Sequence, residues 1–157
     1  MTVISWLWRK LGRVRWFLLW LFSPKYMVGT NAVIMNAQGQ VWLQQHRFWA
    51  KQAWGLPGGI IKSNEQPEVA LAREIFEETG LECVVGRALK TELFFRRGIT
   101  IFYTATLLPG TLHLDYKEIL AADYFSLDNL PSNLLPSHAK FLQEMRKVGG
   151  FTVGQVG

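Results

Sequence analysis

The chain has one cysteine, Cys83, among its 157 residues, and only three histidines. A lone cysteine excludes an internal disulfide and a thiolate metal cluster, and it favours a reducing compartment. Cys83 lies in the apolar run ECVV and reads as a small core residue. His46, His113 and His138 lie far apart without zinc-ligand spacing, so each reads as surface or scaffold. There is no internal repeat and no low-complexity tract. No long apolar run is present either. The seven residues 16–22 (WFLLWLF) fall well short of the roughly 20 needed to cross a bilayer. Acids are absent from the first 24 residues, which carry Arg9, Lys10, Arg13 and Arg15. That segment holds +4 of the net +5, leaving 13 basic and 12 acidic groups in the rest. The body is nearly neutral and gives no charge argument for nucleic acid, so no nucleic-acid partner is expected.

What the chain does contain is a globular composition, 49% apolar and 18% charged, at a length suited to one domain. Three zones are expected. Residues 1–24 form a basic, Trp-rich amphipathic segment, 25–148 a folded domain, and 149–157 a loose tail. MVGTNAVIM and QVWLQQHRF read as strands joined by the turn-like Asn36-Ala37-Gln38-Gly39. GLPGGII is a glycine-rich turn entering a short strand. Residues 67–79 are predicted helical, with Pro67 in the first turn and Gly80 as the stop. CVVGRALKTELFF and TIFYTATLL are a further pair of long strands, with Arg96, Arg97 and Gly98 near their turn. A strand around AADYFSL follows, then a closing helix capped by Ser137 and running to Lys147. Strands with helices between and after them predict a layered α/β domain.

The informative stretch is GGIIKSNEQPEVALAREIFEETGL, which holds five glutamates, with Glu74, Glu77 and Glu78 inside five positions. Such crowding of like charge is unfavourable unless something compensates it. On a helical wheel measured from Val69, Glu77, Glu74 and Glu78 fall at roughly 80°, 140° and 180°. Leu71, Ala72, Ile75, Phe76, Thr79 and Val69 take about the opposite half, as a core-facing side. Arg73, four residues before Glu77, can pair with and orient a carboxylate. The plainer alternative is a solvated acidic face. Hard oxygen donors without cysteine or histidine nearby favour Mg²⁺ or Mn²⁺ over zinc.

The same residues resemble the Nudix box. Gly59, Glu65, Arg73, Glu74, Ile75, Glu77, Glu78, Gly80 and Leu81 fill nine specified positions over 23 residues, and AWGLPGG is similar to the usual lead-in. The resemblance implies an α/β/α sandwich with a mixed sheet, here with an N-terminal amphipathic helix added. It also implies metal-assisted hydrolysis of a nucleoside diphosphate linked to another group. Glu74, Glu77 and Glu78 would then be metal ligands, with the Gly58 carbonyl added. Glu65 would hold the loop and Arg73 would orient the glutamates. Members often carry another acid before a late strand, and Glu118 is the best-placed residue for a fourth ligand or base; an exposed loop acid is the alternative. Either Glu78 or Glu118 could serve as general base, since coupled carboxylates do not reveal one base from sequence.

Substrate contacts are expected from Arg47, at a strand end, and from Trp49 or Trp54, next to Phe48 before the glycines. Surface placement for the arginine and packing for the aromatics are the alternatives. The region 92–99 (ELFFRRGI) carries neither the proline that resembles ADP-ribose hydrolases nor the tyrosine that resembles dinucleoside polyphosphate hydrolases. Zinc-ribbon cysteines of the NADH-cleaving kind are missing too, which leaves the substrate open. In residues 1–24, Leu7, Leu11, Val14 and Leu18 recur at helical spacing against Arg9, Lys10 and Arg13. Tryptophan with basic residues suits a bilayer interface, while packing on protein or a targeting role are the alternatives. The expected location is the cytoplasm, at the inner face of the membrane if the helix anchors. A homodimer is left open. The competing functions are a non-catalytic ligand sensor of the same fold and a membrane-associated nucleotide-binding module.

Overall fold

In the computed structural model, residues 3–94 and 97–147 are described, with side chains at 12 and from 14 onward. Arg96 and the tail 149–157 lie outside the described residues. Helix α1 (Val3–Phe22) leads into strand β1 (Met27–Ile34), followed by β2 (Gln40–His46), β3 (Trp54–Gly55) and β4 (Gly58–Ile60). Helix α2 (Pro67–Thr79), strands β5 (Cys83–Phe94), β6 (Gly98–Leu107) and β7 (Ile119–Ser126), and helix α3 (Pro136–Lys147) complete the order.

Two sheets result. One is mixed, in the order β4-β1-β6-β5, with β1 parallel to β6 from Met27↔Gly98 to Ile34↔Ala105. The other, β3-β2-β7, is antiparallel. The expected pair 83–95 and 100–108 is the β5–β6 hairpin. The turn after β1 also forms: Asn36 Oδ1 accepts from the Gln38 and Gln40 amides at 3.1 and 2.9 Å, and Gly39 takes φ 73°. Its flanking strands, however, fall in different sheets and meet only at the Met35–Val41 bridge. The reason is that both edges of β1 are already taken, by β4 and by β6.

Alternation along β1 decides the layering. Val33 enters a cluster with Val41, Leu43, Leu56, Phe102, Phe141 and Leu142, which covers α3. Ala32 and Ile34 enter a second cluster, with Trp42, Leu71, Ile75, Tyr103 and Ala105, which covers α2. The strands therefore lie between two helices, as an α/β/α sandwich should. Cys83 packs against the second cluster, and burial raises its thiol pKa.

Two local expectations are corrected. Helix α3 begins at Pro136, so Ser137 lies inside its first turn and does not cap it. In α2, Val69 and Phe76 are exposed despite their place on the apolar half of the wheel, and Glu78 is buried. The wheel is right about Leu71, Ile75 and Thr79. The sheet covers a narrower stripe of α2 than the pattern of apolar residues suggests.

His46 and His138 are internal scaffold. His138 Nδ1 accepts from the Leu56 amide at 3.0 Å, and the His46 ring stacks on Trp49 at 3.7 Å. Burial lowers both pKa values to about 4. An unfolded chain protonates these rings below about pH 6.5 while the folded chain does not, so their contribution to stability is lost as pH falls from about 6.5 to about 4. His46→Phe keeps the stack and removes one such group; its Nε2 has no hydrogen-bond partner to lose. The variant should match the parent at pH 7.5. At pH 5 it should be the more stable by about 2 kcal/mol, roughly 5 °C in Tm. Thermal melts at the two pH values check this.

Candidate active site

Local chemistry sets the α2 end of the site. Pro67 occupies the first helical turn, and Gly80 ends the helix in the left-handed region at φ 68°, its amide bonding the Phe76 carbonyl. Before the helix, the Lys62 amide donates to Glu65 Oε2 at 3.0 Å, which fixes the loop. Arg73 then ties loop to helix. Its Nε and Nη2 reach the two Glu65 oxygens at 2.7 and 2.9 Å, and its Nη1 reaches Glu74 at 2.7 Å and Glu77 at 3.0 Å. This fork is what a planar guanidinium offers and an ammonium does not. The Arg73 hydrogen bonds hold Glu65 down at a pKa of about 2. Of the two remaining glutamates of the stretch, Glu68 accepts from the Tyr103 hydroxyl.

Glu78 differs from its neighbours. It is 5% exposed, and its Oε2 has no hydrogen-bond partner. Beside it lies Gln44, fully buried on β2, whose side-chain amide makes no hydrogen bond of good geometry yet lies close enough to Glu78 to oppose the rise of its pKa. Burial first, then the charges of Glu74, Glu118 and Glu77, push the Glu78 carboxyl up to about 8. A buried carboxyl with an open oxygen and three acidic neighbours is costly in the absence of a cation.

The other wall comes from the loop before β7. The His113 amide bonds the Thr79 carbonyl at 2.8 Å, and the Asp115 amide bonds the Glu78 carbonyl at 3.0 Å. The loop thus satisfies carbonyls left open at the end of α2. It delivers Asp115 and Glu118 to a cleft of about 340 Å³ lined with Glu74, Glu77 and Glu78. Glu118 was anticipated from sequence and Asp115 was not. The available signal was an acid three residues before Glu118, in DYKE. Asp115 Oδ1 accepts from the Lys117 amide at 3.0 Å, a turn common for this residue type, so it reads from sequence as a loop former.

The expected substrate residues fare differently. Both Arg47 Nε and Nη2 bond the Tyr116 carbonyl, at 3.1 and 2.8 Å, so this side chain braces the acidic loop. Trp49 stacks on His46, and Trp54 packs edge-on to Phe125 at 4.8 Å, on the α3 side. Phe48, at 77% exposure, and Tyr116 are the aromatics left open to solvent beside that brace. Arg97 is exposed at the β5–β6 turn, where its carbonyl accepts from the Met27 amide at 2.9 Å.

The glycines are dictated by close approach. Gly58, at φ 148°, lies opposite Asn31, and a Cβ there would meet the Thr30 carbonyl oxygen at 2.0 Å. A Cβ on Gly59 would meet Glu74 Cδ at 2.3 Å. One clash is with backbone and the other with the end of a flexible side chain. Gly58→Ala should therefore fail to accumulate as folded protein. Gly59→Ala should fold with near-parental Tm but lose hydrolysis by about 10- to 100-fold, as for displaced support around a metal site. Circular dichroism melts beside an activity assay separate the two outcomes.

A family model described as NUDIX domain matches residues 25–145. The chain belongs to the Nudix family. This Nudix chain is 31% identical over 119 residues to the m7GpppN-mRNA hydrolase dcap-2 of Caenorhabditis elegans, covering 72% of this chain and 15% of that protein. It is 30% identical over 105 residues to the NAD-capped RNA hydrolase NudC of Klebsiella pneumoniae, covering 66% and 40%. The chain thus spans well under half the length of both relatives. Among solved structures, the MutT NUDIX hydrolase of Burkholderia pseudomallei superposes with TM-score 0.64 at 25% identity, covering 76% of this chain and 97% of that one. The relatives' names give no support to the expected absence of nucleic-acid partners.

Nudix hydrolases generally use divalent metal ions. Among the described residues, no three acidic or histidine side chains are drawn together into a ready coordination sphere. Arg73 supplies the countercharge to Glu74 and Glu77 instead. The donor set nevertheless fits a hard cation: it is all carboxylate, and the open Glu78 Oε2 is a buried acceptor lacking its donor. No described helix is long and apolar enough to cross a membrane, which says nothing of β-barrels.

Proposed function

We propose that this protein hydrolyses a pyrophosphate bond in a nucleoside diphosphate linked to another group, with Mg²⁺ held by Glu74, Glu77 and Glu78 and the Gly58 carbonyl. The observation that carries the reading is the buried Glu78 carboxyl, its Oε2 open, in a cleft walled by four further acids. A bound divalent ion would neutralise phosphate charge and lower the pKa of a nearby water. The protein's own part is positioning. Arg73 fixes Glu74 and Glu77 against the Glu65 loop. The docked 113–118 loop sets Asp115 and Glu118 at the opposite wall. Glu118 is exposed at the rim, where water reaches it, and we assign it the role of proton acceptor. Glu78 is enclosed and better suited to holding a cation.

Phe48 and Tyr116, exposed at either end of the Arg47 brace, are free to stack on a base, and Arg47 acts through the loop it braces. We place the protein in the cytoplasm, where nucleoside diphosphate derivatives and Mg²⁺ occur together. The test is a panel of such compounds with Mg²⁺, including 5′-capped RNA because two relatives bear capped-RNA names. Turnover of at least one compound, lost in Glu118→Gln, is the expected result. Tight binding of one compound with no turnover of any would replace the enzyme by a ligand sensor.

A further inference from the structure

Among the described residues, the apolar side chains of helix α1 are left in solvent. Its twenty residues span about 30 Å. Every described apolar side chain from Val14 to Phe22 is exposed, including Trp16 at 68% and Phe22 at 80%. The exposure is all round, whereas a helix made to pack on protein offers one stripe.

A second element lies at the same end of the sheet. Met27, the first residue of β1, pairs with Gly98 at the start of β6, and its amide bonds the Arg97 carbonyl at 2.9 Å. The exit of α1 and the tip of the β5–β6 hairpin are thereby tied together. That tip exposes Leu93 at 76%, with Arg97 beside it, and Tyr26 and Met27 are half exposed at the junction. Lys25 lies over the Trp20 ring at 4.5 Å and donates to the Trp20 carbonyl. Apolar and cationic groups thus recur on both elements.

We infer that α1 and the β5–β6 hairpin tip together form a docking surface for an anionic phospholipid bilayer. Charge decides for lipid over a protein partner. The first 25 residues carry five basic groups and no acid, complementary to an anionic surface. Tryptophan with arginine and lysine on a helix too short in apolar length to cross suits the headgroup boundary, where an all-round apolar end is buried in acyl chains. The hairpin tip gives this surface a second foot, fixed to the domain by the Met27–Arg97 hydrogen bond. This inference does not depend on the hydrolase reading.

The test is co-sedimentation of the full chain with phosphatidylcholine vesicles, with and without phosphatidylglycerol. Binding should be at least about tenfold stronger with the anionic lipid and should fall as salt rises. A Trp16→Ser, Trp20→Ser, Phe22→Ser variant should lose sedimentation. Leu93→Ser with Arg97→Ser should weaken it about fivefold or more, since one basic group near an anionic surface accounts for roughly that factor. Both variants should keep the parent's far-ultraviolet spectrum and its hydrolysis of soluble substrates. Absent binding, or equal binding to neutral and anionic vesicles, overturns the inference. So does a concentration-dependent dimer that the tryptophan variant abolishes, which would show a second copy covering α1. Unchanged binding of the Leu93/Arg97 variant removes the hairpin from the surface.

Discussion

Glu78→Gln is expected to make the metal-free protein more stable and to abolish most of its activity. The pKa of Glu78 is raised from 4.5 to about 8, chiefly by burial. Between those values the folded chain keeps a proton that the unfolded chain releases, so this group's contribution to stability declines as pH rises from about 4.5 to about 8. Glutamine is neutral throughout and carries no such loss. At pH 8 without metal the variant should exceed the parent by about 2–5 kcal/mol, and the gap should close below about pH 4.5. Adding Mg²⁺ should raise the Tm of the parent, through binding to the folded state alone, and leave that of the variant nearly unmoved. Loss of several kcal/mol of charge stabilisation corresponds to roughly a 10³-fold fall in kcat. Thermal melts at pH 4, 6 and 8, each with and without Mg²⁺, are the measurement. A variant less stable than the parent at pH 8 without metal would mean that Glu78 is a satisfied structural residue, and the metal assignment would fail.

The second large effect is expected at Arg73. Its guanidinium contacts three carboxylates and reaches the Ile60 carbonyl at 3.4 Å. Arg73→Leu leaves Glu65 and Glu74 largely enclosed without their countercharge and frees the loop from the helix. Hydrolysis should fall about 10- to 100-fold, as for loss of a residue that orients metal ligands. Arg73→Lys should not recover it, because a single ammonium cannot replace the two-pronged contact to Glu65. Acid behaviour supplies an independent readout. The Glu65 pKa is depressed to about 2, so its stabilising contribution is present above about pH 4.5 and is lost as pH falls toward 2. The parent should show that loss on acid titration, and Arg73→Leu should show little of it. Parental activity in Arg73→Lys would reduce Arg73 to a source of positive charge.

Much of the fold was legible because its signals are local. Pro67 and Gly80 bracket α2, and β-branched and aromatic runs mark the strands. The crossing of β1 and β2 into separate sheets was not legible, since a good turn says nothing about which edges of β1 other strands have already claimed. The aromatics before the glycines show the same limit. Phe48, Trp49 and Trp54 look alike in sequence, yet Trp49 and Trp54 pack within the fold and Phe48 does not. Their difference arises from what each meets in the folded chain: Trp49 meets the His46 ring and Trp54 meets Phe125, while Phe48 stays in solvent.

By itself the sequence determined the box, its helix and the reach of Arg73 to Glu77, because 3.6 residues per turn brings positions four apart to one face. Only the tertiary structure decided that Glu78 is enclosed beside Gln44, that Asp115 joins Glu118 at the opposite wall, and that α1 shares one end of the sheet with the β5–β6 tip. Those facts depend on residues distant in the chain meeting through sheet register and loop docking. Burial and the pKa shifts it produces are properties of that assembled environment and of no single segment.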